Sequence, residues 1–370
     1  MITIQAVVNF LSELANPSLQ ESYDNAGLLA GNPQSHCTGI MCCLDVTEKV
    51  LDEAVSHGVN MVISHHPLIF KPLKTLVPQT NTERILIRAI KHDITLYGIH
   101  TNYDNVIEGV NRAFAQKIGL KKETLTLLSP LGGKIAKLFT YVPVQQIEQV
   151  KSALFNAGAG KIGLYDECSF QISGTGTFRP LAGSDPYIGK AAGPREEVVE
   201  YKLEVIFPIW LKNKILEALK SSHPYEEVAY EIILTENIHQ EVGSGMIGEI
   251  YEPLDEASFL NHISSVLGQP FLRHSPFTGK LIKKIAICGG AGSFLTGKAI
   301  AAGADAFITA DLKYHEFFDA EEKVLLVDAG HFETEIPAIE QLTQILQEKF
   351  PTFAVLQTKV ITNPVQYFRK

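Results

Sequence analysis

The stretch "MVISHHPLIF" (61–70) is an apolar run that ends in two adjacent histidines and a proline. Burying two imidazoles side by side is unfavourable unless each finds a partner. A divalent metal ion is such a partner, and imidazole is among its commonest ligands. Consecutive side chains of an extended segment point to opposite sides. His65 and His66 therefore serve one ion only if the chain turns sharply there; otherwise they suit two ions. Two other stretches carry a histidine followed four positions on by an acid: "LYGIHTNYD", with His100 and Asp104, and "VDAGHFETE", with His331 and Glu335. Taken alone, Asp104 reads as a helix N-cap contributing about 1 kcal/mol, and the charge of Glu335 suits a helix N-terminus. His331 has no such explanation. Together, His65, His66, Asp104, His331 and Glu335 supply three imidazoles and two carboxylates. That mixture suits zinc, iron or manganese, two divalent ions with a carboxylate free to bridge them. It is too rich in nitrogen for calcium or magnesium.

Other polar residues fall near these strand ends. His100 can ligate or orient. "TADLKYHEFF" places Asp311 where the first copy of a repeat (below) has His66, with His315 four residues on, a candidate for proton transfer or a surface histidine. "ESYDNAGL" (21–28) sets Tyr23, Asp24 and Asn25 before a glycine, and an Asx-type turn is the simpler reading. "CGGAGSF" (288–294) lies between a strand and a helix and could cradle an anion, but it has neither GxGxxG nor GKS. "SSHPYEE" (221–227) holds His223 and Glu226, read as surface or rim residues.

The elements that must position the histidines are visible as a repeat. "IMCCLDVTEKVLDEAVSHGVNMVISHH" (40–66) aligns without a gap on "IAICGGAGSFLTGKAIAAGADAFITAD" (285–311). Ile40 meets Ile285, Ala54 meets Ala299, and Gly58 meets Gly303. Each copy reads as strand, helix, helix-ending glycine and strand, a βαβ unit with parallel strands. His100 and His331 follow the two copies at equivalent strand ends, the edge at which open α/β sheets build sites. The expectation is an α/β protein of two duplicated βαβ-type lobes, residues 1–131 and 238–370.

Between them, residues 132–237 read as strand–helix–strand–strand–helix–strand, an inserted ferredoxin-like α+β domain. "SPLGG" (129–133) and "ENIHQEVGSG" (236–245) are its expected junctions. A chain of 370 residues has room for such a set of cores. Net charge is −9, with no dense Lys/Arg stripe, which argues against a nucleic-acid or anionic membrane surface. Five cysteines without CxxC spacing read as reduced thiols of a cytoplasmic protein. The first residues, "MITIQAVVNFLSELANP", lack a basic region and a cleavage site and read as an amphipathic helix closed by Asn16-Pro17. No apolar run reaches the roughly 20 residues needed to span a bilayer.

"YDNAGL", "ISHHPLIF", "GIHTNYDN", "ICGGAGS", "GADAFITADLKYHE" and "DAGHFETE" occur in this order, and the sequence thereby resembles the Nif-three-like dinuclear-metal proteins, commonly called GTP cyclohydrolase 1 type 2 homologues. The middle, through "KLFTYVP", "GTGTFRP" and "HPYEEVAYEI", resembles the CutA/PII-like insert of longer bacterial members. The resemblance implies metal ligation by His65, His66, Asp104, His331 and Glu335, and a toroidal homohexamer whose metal sites open on an internal cavity. Two positions depart from the family pattern: Tyr23 replaces a usual tryptophan, and Met246 stands where many members carry arginine.

The first functional expectation is a metal-dependent hydrolase acting on a nucleotide or related small molecule, with His100 or His315 moving protons. The second is a non-catalytic metal-binding or regulatory assembly whose insert senses a ligand. A protein-interaction scaffold would leave the convergent ligands unexplained.

Overall fold

A computed structural model describes residues 2–368. The chain divides into two compact units, one formed by residues 1–129 with 241–370 and the other by 130–240.

In chain order the first part of the larger unit comprises α1 (Ile4–Leu14), β1 (Gly27–Ala30), β2 (Gly39–Cys43), α2 (Glu48–Ser56), β3 (Met61–Ser64), α3 (Asn81–Lys91), β4 (Thr95–Gly98), α4 (Thr101–Asp104), α5 (Val110–Lys117) and β5 (Thr126–Gly132). The smaller unit holds β6 (Ile135–Pro143), α6 (Ile147–Asn156), β7 (Ser169–Phe178), β8 (Glu196–Pro208), α7 (Lys212–Ser222) and β9 (Tyr230–Leu234). The chain continues through β10 (Ile238–Leu254), α8 (Glu256–Leu267), β11 (Arg273–His274), β12 (Ile282–Ala291), α9 (Thr296–Ala301), β13 (Ala306–Ala310), β14 (Leu325–Asp328), α10 (His331–Lys349) and β15 (Ala354–Gln357).

The helices begin where their caps place them. Thr3, Thr47 and Asp255 accept backbone N–H groups at the starts of α1, α2 and α8, and Thr80 with Glu83 forms a capping box on α3. Gly58 and Gly303 follow α2 and α9 at φ +65° and +71°, turning the chain into β3 and β13. Both copies of the repeat thus fold as strand, helix, glycine, strand.

Two sheets result, in the orders β1-β4-β3-β2-β15 and β11-β14-β13-β12-β10-β5. β15, β2, β3 and β4 run parallel, as do β12, β13 and β14. Strands β2, β3 and β4 are buried along their whole length, as parallel strands covered on both faces must be. Alternation sorts their side chains. Ile40 and Cys42 pack with α1 and α10, while Met41 and Cys43 pack with α2 and α3. In the second sheet Ile285 and Ile287 face α5 and α8, and Ala286 and Cys288 face α9. α10 packs on α5 and on strands of both sheets.

Two features differ from the sequence-based expectation. β5, drawn from the first lobe, is an edge strand of the second sheet, and β15, drawn from the second, extends the first. Sheet pairing is long-range, so the lobes exchange edges in a way that local pattern does not report. The expected junction loops are strand: "SPLGG" lies largely in β5, and "ENIHQEVGSG" runs into the continuous β10. Met246, at the family's arginine position, is fully buried in the core of the second sheet.

The smaller unit has β-α-β-β-α-β connectivity and a four-stranded antiparallel sheet in the order β7-β8-β6-β9, the ferredoxin-like arrangement. Leu138, Val205, Val150, Ile215 and Leu219 form its own core. Among the described residues no helix is long and apolar enough to cross a membrane.

Candidate metal centre

The site lies where the C-terminal ends of parallel strands from both sheets meet. His65 and His66 follow β3, and their backbone N–H groups bond to the carbonyls of Cys43, the last residue of β2, and of Leu44 beyond it (3.1 and 3.0 Å). The chain bends at both residues, and the two rings stand side by side with centroids 5.1 Å apart. The His65 Nε2 lies 3.6 Å from Asp104 Oδ1 and 3.7 Å from Glu335 Oε1. The His66 Nε2 lies 3.1 Å from the other oxygen, Glu335 Oε2. His331 Nε2 is also 3.1 Å from Oε2.

Two sets of donors therefore share one carboxylate: His65, Asp104 and Glu335 on one side, and His66, His331 and Glu335 on the other. Within each set the potential ligand atoms lie within 4.8 Å of one another, and a third set joins His65, His66 and His100. Glu335 is 3% exposed and His65 fully buried. His65 Nε2, Asp104 Oδ1 and Glu335 Oε2 are buried without a hydrogen-bond partner. Polar atoms so placed need a partner, and their convergence within 4.8 Å of one another fits a divalent cation.

α10 begins at His331 itself, which puts His331 and Glu335 one turn apart on one face. Glu335 is thus presented by a helix rather than placed at its cap. Asp104 is not an N-cap either. It ends the short helix α4, and Gly109 caps α5; the N-cap reading fails, and its carboxylate is left for the centre. The Gly-rich segment makes room for Glu335. Gly290 has φ +63°, and a Cβ there would overlap Glu335 Oε1.

Each converging imidazole is anchored through its other nitrogen. His65 Nδ1 donates to the Ile99 carbonyl (2.8 Å), His66 Nδ1 to Asp45 (2.7 Å), His100 Nδ1 to Asp24 (2.7 Å) and His331 Nδ1 to Asp311 (2.7 Å). Pinning Nδ1–H fixes the tautomer that leaves Nε2 as the donor atom. Asp45 is braced in turn by Thr362 (2.9 Å), and Asp24 also accepts the Thr101 backbone N–H (3.0 Å). Sequence reasoning reaches part of this layer: Asp311 stands among the polar candidates at the strand ends, and Asp24 is weighed against an Asx-type turn. Asp45 is not singled out, although its place just past β2 marks the same sheet edge.

The ionisation of the cluster is mutual. Burial raises Asp104, and despite the opposing charge of His65 it stands at about 7. Burial would also raise Glu335, but His65, His331 and His66 outweigh it and hold the carboxyl well below the usual range. Burial would lower His66 and His331, yet their carboxylate partners lift them to about 10 and about 9. A divalent ion entering this set displaces protons from imidazole.

His315 is not brought in. It is exposed on the short 3-10 helix Tyr314–Ala320 beyond β13, against the rings of Tyr314 and Phe318. In the smaller unit His223 is buried, with Nε2 bonded to the Tyr141 carbonyl and Nδ1 to the Tyr225 N–H. Glu226 accepts the Asp185 backbone N–H.

A mixed α/β fold with a His/Asp/Glu centre at its strand ends defines the class, and comparison with known proteins names it. The family model Duf34/NIF3 (NGG1p interacting factor 3) matches residues 2–364, and the chain belongs to this family. It is 36% identical over 368 residues to a GTP cyclohydrolase 1 type 2 homolog of Halalkalibacterium halodurans, covering 98% of both chains. Identity to the protein of the same name from Bacillus subtilis is 34% over 367 residues, again 98% of both. The crystal structure of a Bacillus cereus protein related to NIF3 superposes with a TM-score of 0.87 at 33% identity, covering 99% of each chain. HcgD from Methanocaldococcus jannaschii shares the fold at 17% identity and a TM-score of 0.56.

Proposed function

We propose that this protein is a metal-dependent hydrolase with a dinuclear centre, acting on a nucleotide or related small molecule. The observation that carries the reading is the division of donors about Glu335: one oxygen faces His65 with Asp104 nearby, the other faces His66 and His331. Three imidazoles and two carboxylates suit zinc, iron or manganese. When bound, a pair of such ions supplies Lewis-acid polarisation and makes hydroxide accessible near neutral pH.

The chain's own residues do the rest. Asp45, Asp311 and the Ile99 carbonyl hold three ligand rings in one orientation. His100 presents Nε2 beside the rings of His65 and His66 (centroids 5.2 and 5.4 Å), with its Nδ1 held by Asp24 at 2.7 Å. That geometry suits a group that takes and returns a proton; the exposed His315 lacks it. Relatives carry the name GTP cyclohydrolase 1 type 2 homolog, which supports a nucleotide as the first substrate to try. We assign the protein to the cytoplasm, in keeping with its free cysteines, and propose that six copies assemble as a ring, which native mass spectrometry reads directly.

The test is metal analysis and turnover together. Purified protein loaded with zinc, iron or manganese should hold two ions per chain and consume GTP or a related nucleotide. Chelated protein should not. Turnover unchanged after stripping would end the hydrolase reading.

A further inference from the structure

The smaller unit contains a cleft of about 790 Å³ lined by β7, the segment 179–188 and the residues around Tyr225. Its size falls in the range of about 300–1,000 Å³ usual for small-molecule sites. Glu200 reaches it from β8 and is 7% exposed. One Glu200 oxygen accepts the Tyr225 hydroxyl at 2.7 Å. The other lies over Gly176, where a Cβ would overlap it.

No cation of the protein neutralises this carboxylate among the described residues. Lys202 is held by Glu204 at 3.2 Å and lies over the Phe139 ring. His223 has both nitrogens engaged with the backbone. Arg179, also in the lining, is exposed and makes no ion pair. Beside the carboxylate stand three aromatic rings. Phe178 and Tyr187 flank Tyr225 at centroid distances of 5.7 and 6.3 Å. The wall carrying Tyr187 is fixed in place, because Glu226 accepts the Asp185 N–H and Gln146 donates to the Tyr187 hydroxyl at 2.9 Å.

We propose that this cleft binds a small organic cation, an ammonium seated against Glu200 with its hydrocarbon body on the faces of Tyr225, Tyr187 and Phe178. A buried carboxylate left without a cation attracts a positive ligand, and aromatic faces add cation–π attraction. A fixed wall lowers the ordering cost of binding. Gly176 is the residue that lets the acid lie flat along the strand.

Calorimetric titration of the full chain with 2-phenylethylammonium chloride should read one saturable site per chain. 2-Phenylethanol, which has a similar shape and no charge, should read none. Glu200→Gln and Gly176→Ala should each weaken the ammonium by about tenfold or more, through loss or displacement of the charge-assisted contact. Tyr187→Ala, a half-exposed position that leaves the acid untouched, should weaken it by about threefold. Circular dichroism matching the parent chain certifies each variant as folded. Equal binding of the alcohol, absence of saturation, tighter binding of ATP than of the ammonium, or unchanged affinity in all folded variants would overturn the assignment.

Discussion

His65 and Glu335, brought together from opposite ends of the chain, place Nε2 and Oε1 3.7 Å apart with both side chains buried. The second Glu335 oxygen is equally close to His66 and His331, at 3.1 Å. One carboxylate is therefore common to both sets of donors, and its removal cannot affect one set alone.

Glu335→Gln should accordingly lose both metals together. Elemental analysis after equal loading should show both ions falling in parallel by about tenfold or more, since a neutral amide replaces the shared anionic ligand. Loss of a single ion, with the other at parental level, would refute a shared bridge.

The carboxylates behind the rings predict a graded effect. Asp45→Asn and Asp311→Asn keep the shape but remove the charge that fixes the His66 and His331 tautomers. Each should weaken metal affinity by about 10–100-fold, measured by competition against a chromophoric chelator. An effect below twofold in both would mean that the ring orientation is fixed by packing instead.

Gly290→Ala should damage the centre without unfolding the protein. The position has φ +63°, and a Cβ would meet Glu335 Oε1. Metal content should drop as in Glu335→Gln, while the far-UV circular dichroism stays that of the parent chain. Full metal occupancy in this variant would show that Glu335 has freedom the packing denies it.

The thiols should divide into one and four. Burial pushes Cys37 up to about 11 and Cys42 to about 12, and Cys43 and Cys288 are also raised by burial. Cys168 is the partly exposed one. The thiolate is the reactive form, so a disulfide reagent at pH 8 should label Cys168 first. The other four should react only on denaturation, and Cys168→Ser should abolish the fast phase in a mass-mapped time course.

Sequence alone determined the candidate donor types, their spacing and the strand ends that carry the histidines. Hydrophobic runs, helix-ending glycines and the gapless repeat are local signals, and they place His65, His66, His100 and His331 at strand ends before any coordinates are seen. Asp104 and Glu335 are legible as candidates because each follows one of these histidines by four residues. What the tertiary structure decided is everything set by long-range pairing. Only three dimensions show that β5 and β15 exchange sheets, that Asp104 ends one short helix instead of capping the next, and that His315 stays at the surface. Only they show Asp24, Asp45 and Asp311 behind the rings. A carboxylate that orients a histidine across a sheet edge leaves no periodicity in the chain, because hydrogen bonds between distant residues depend on topology and not on spacing.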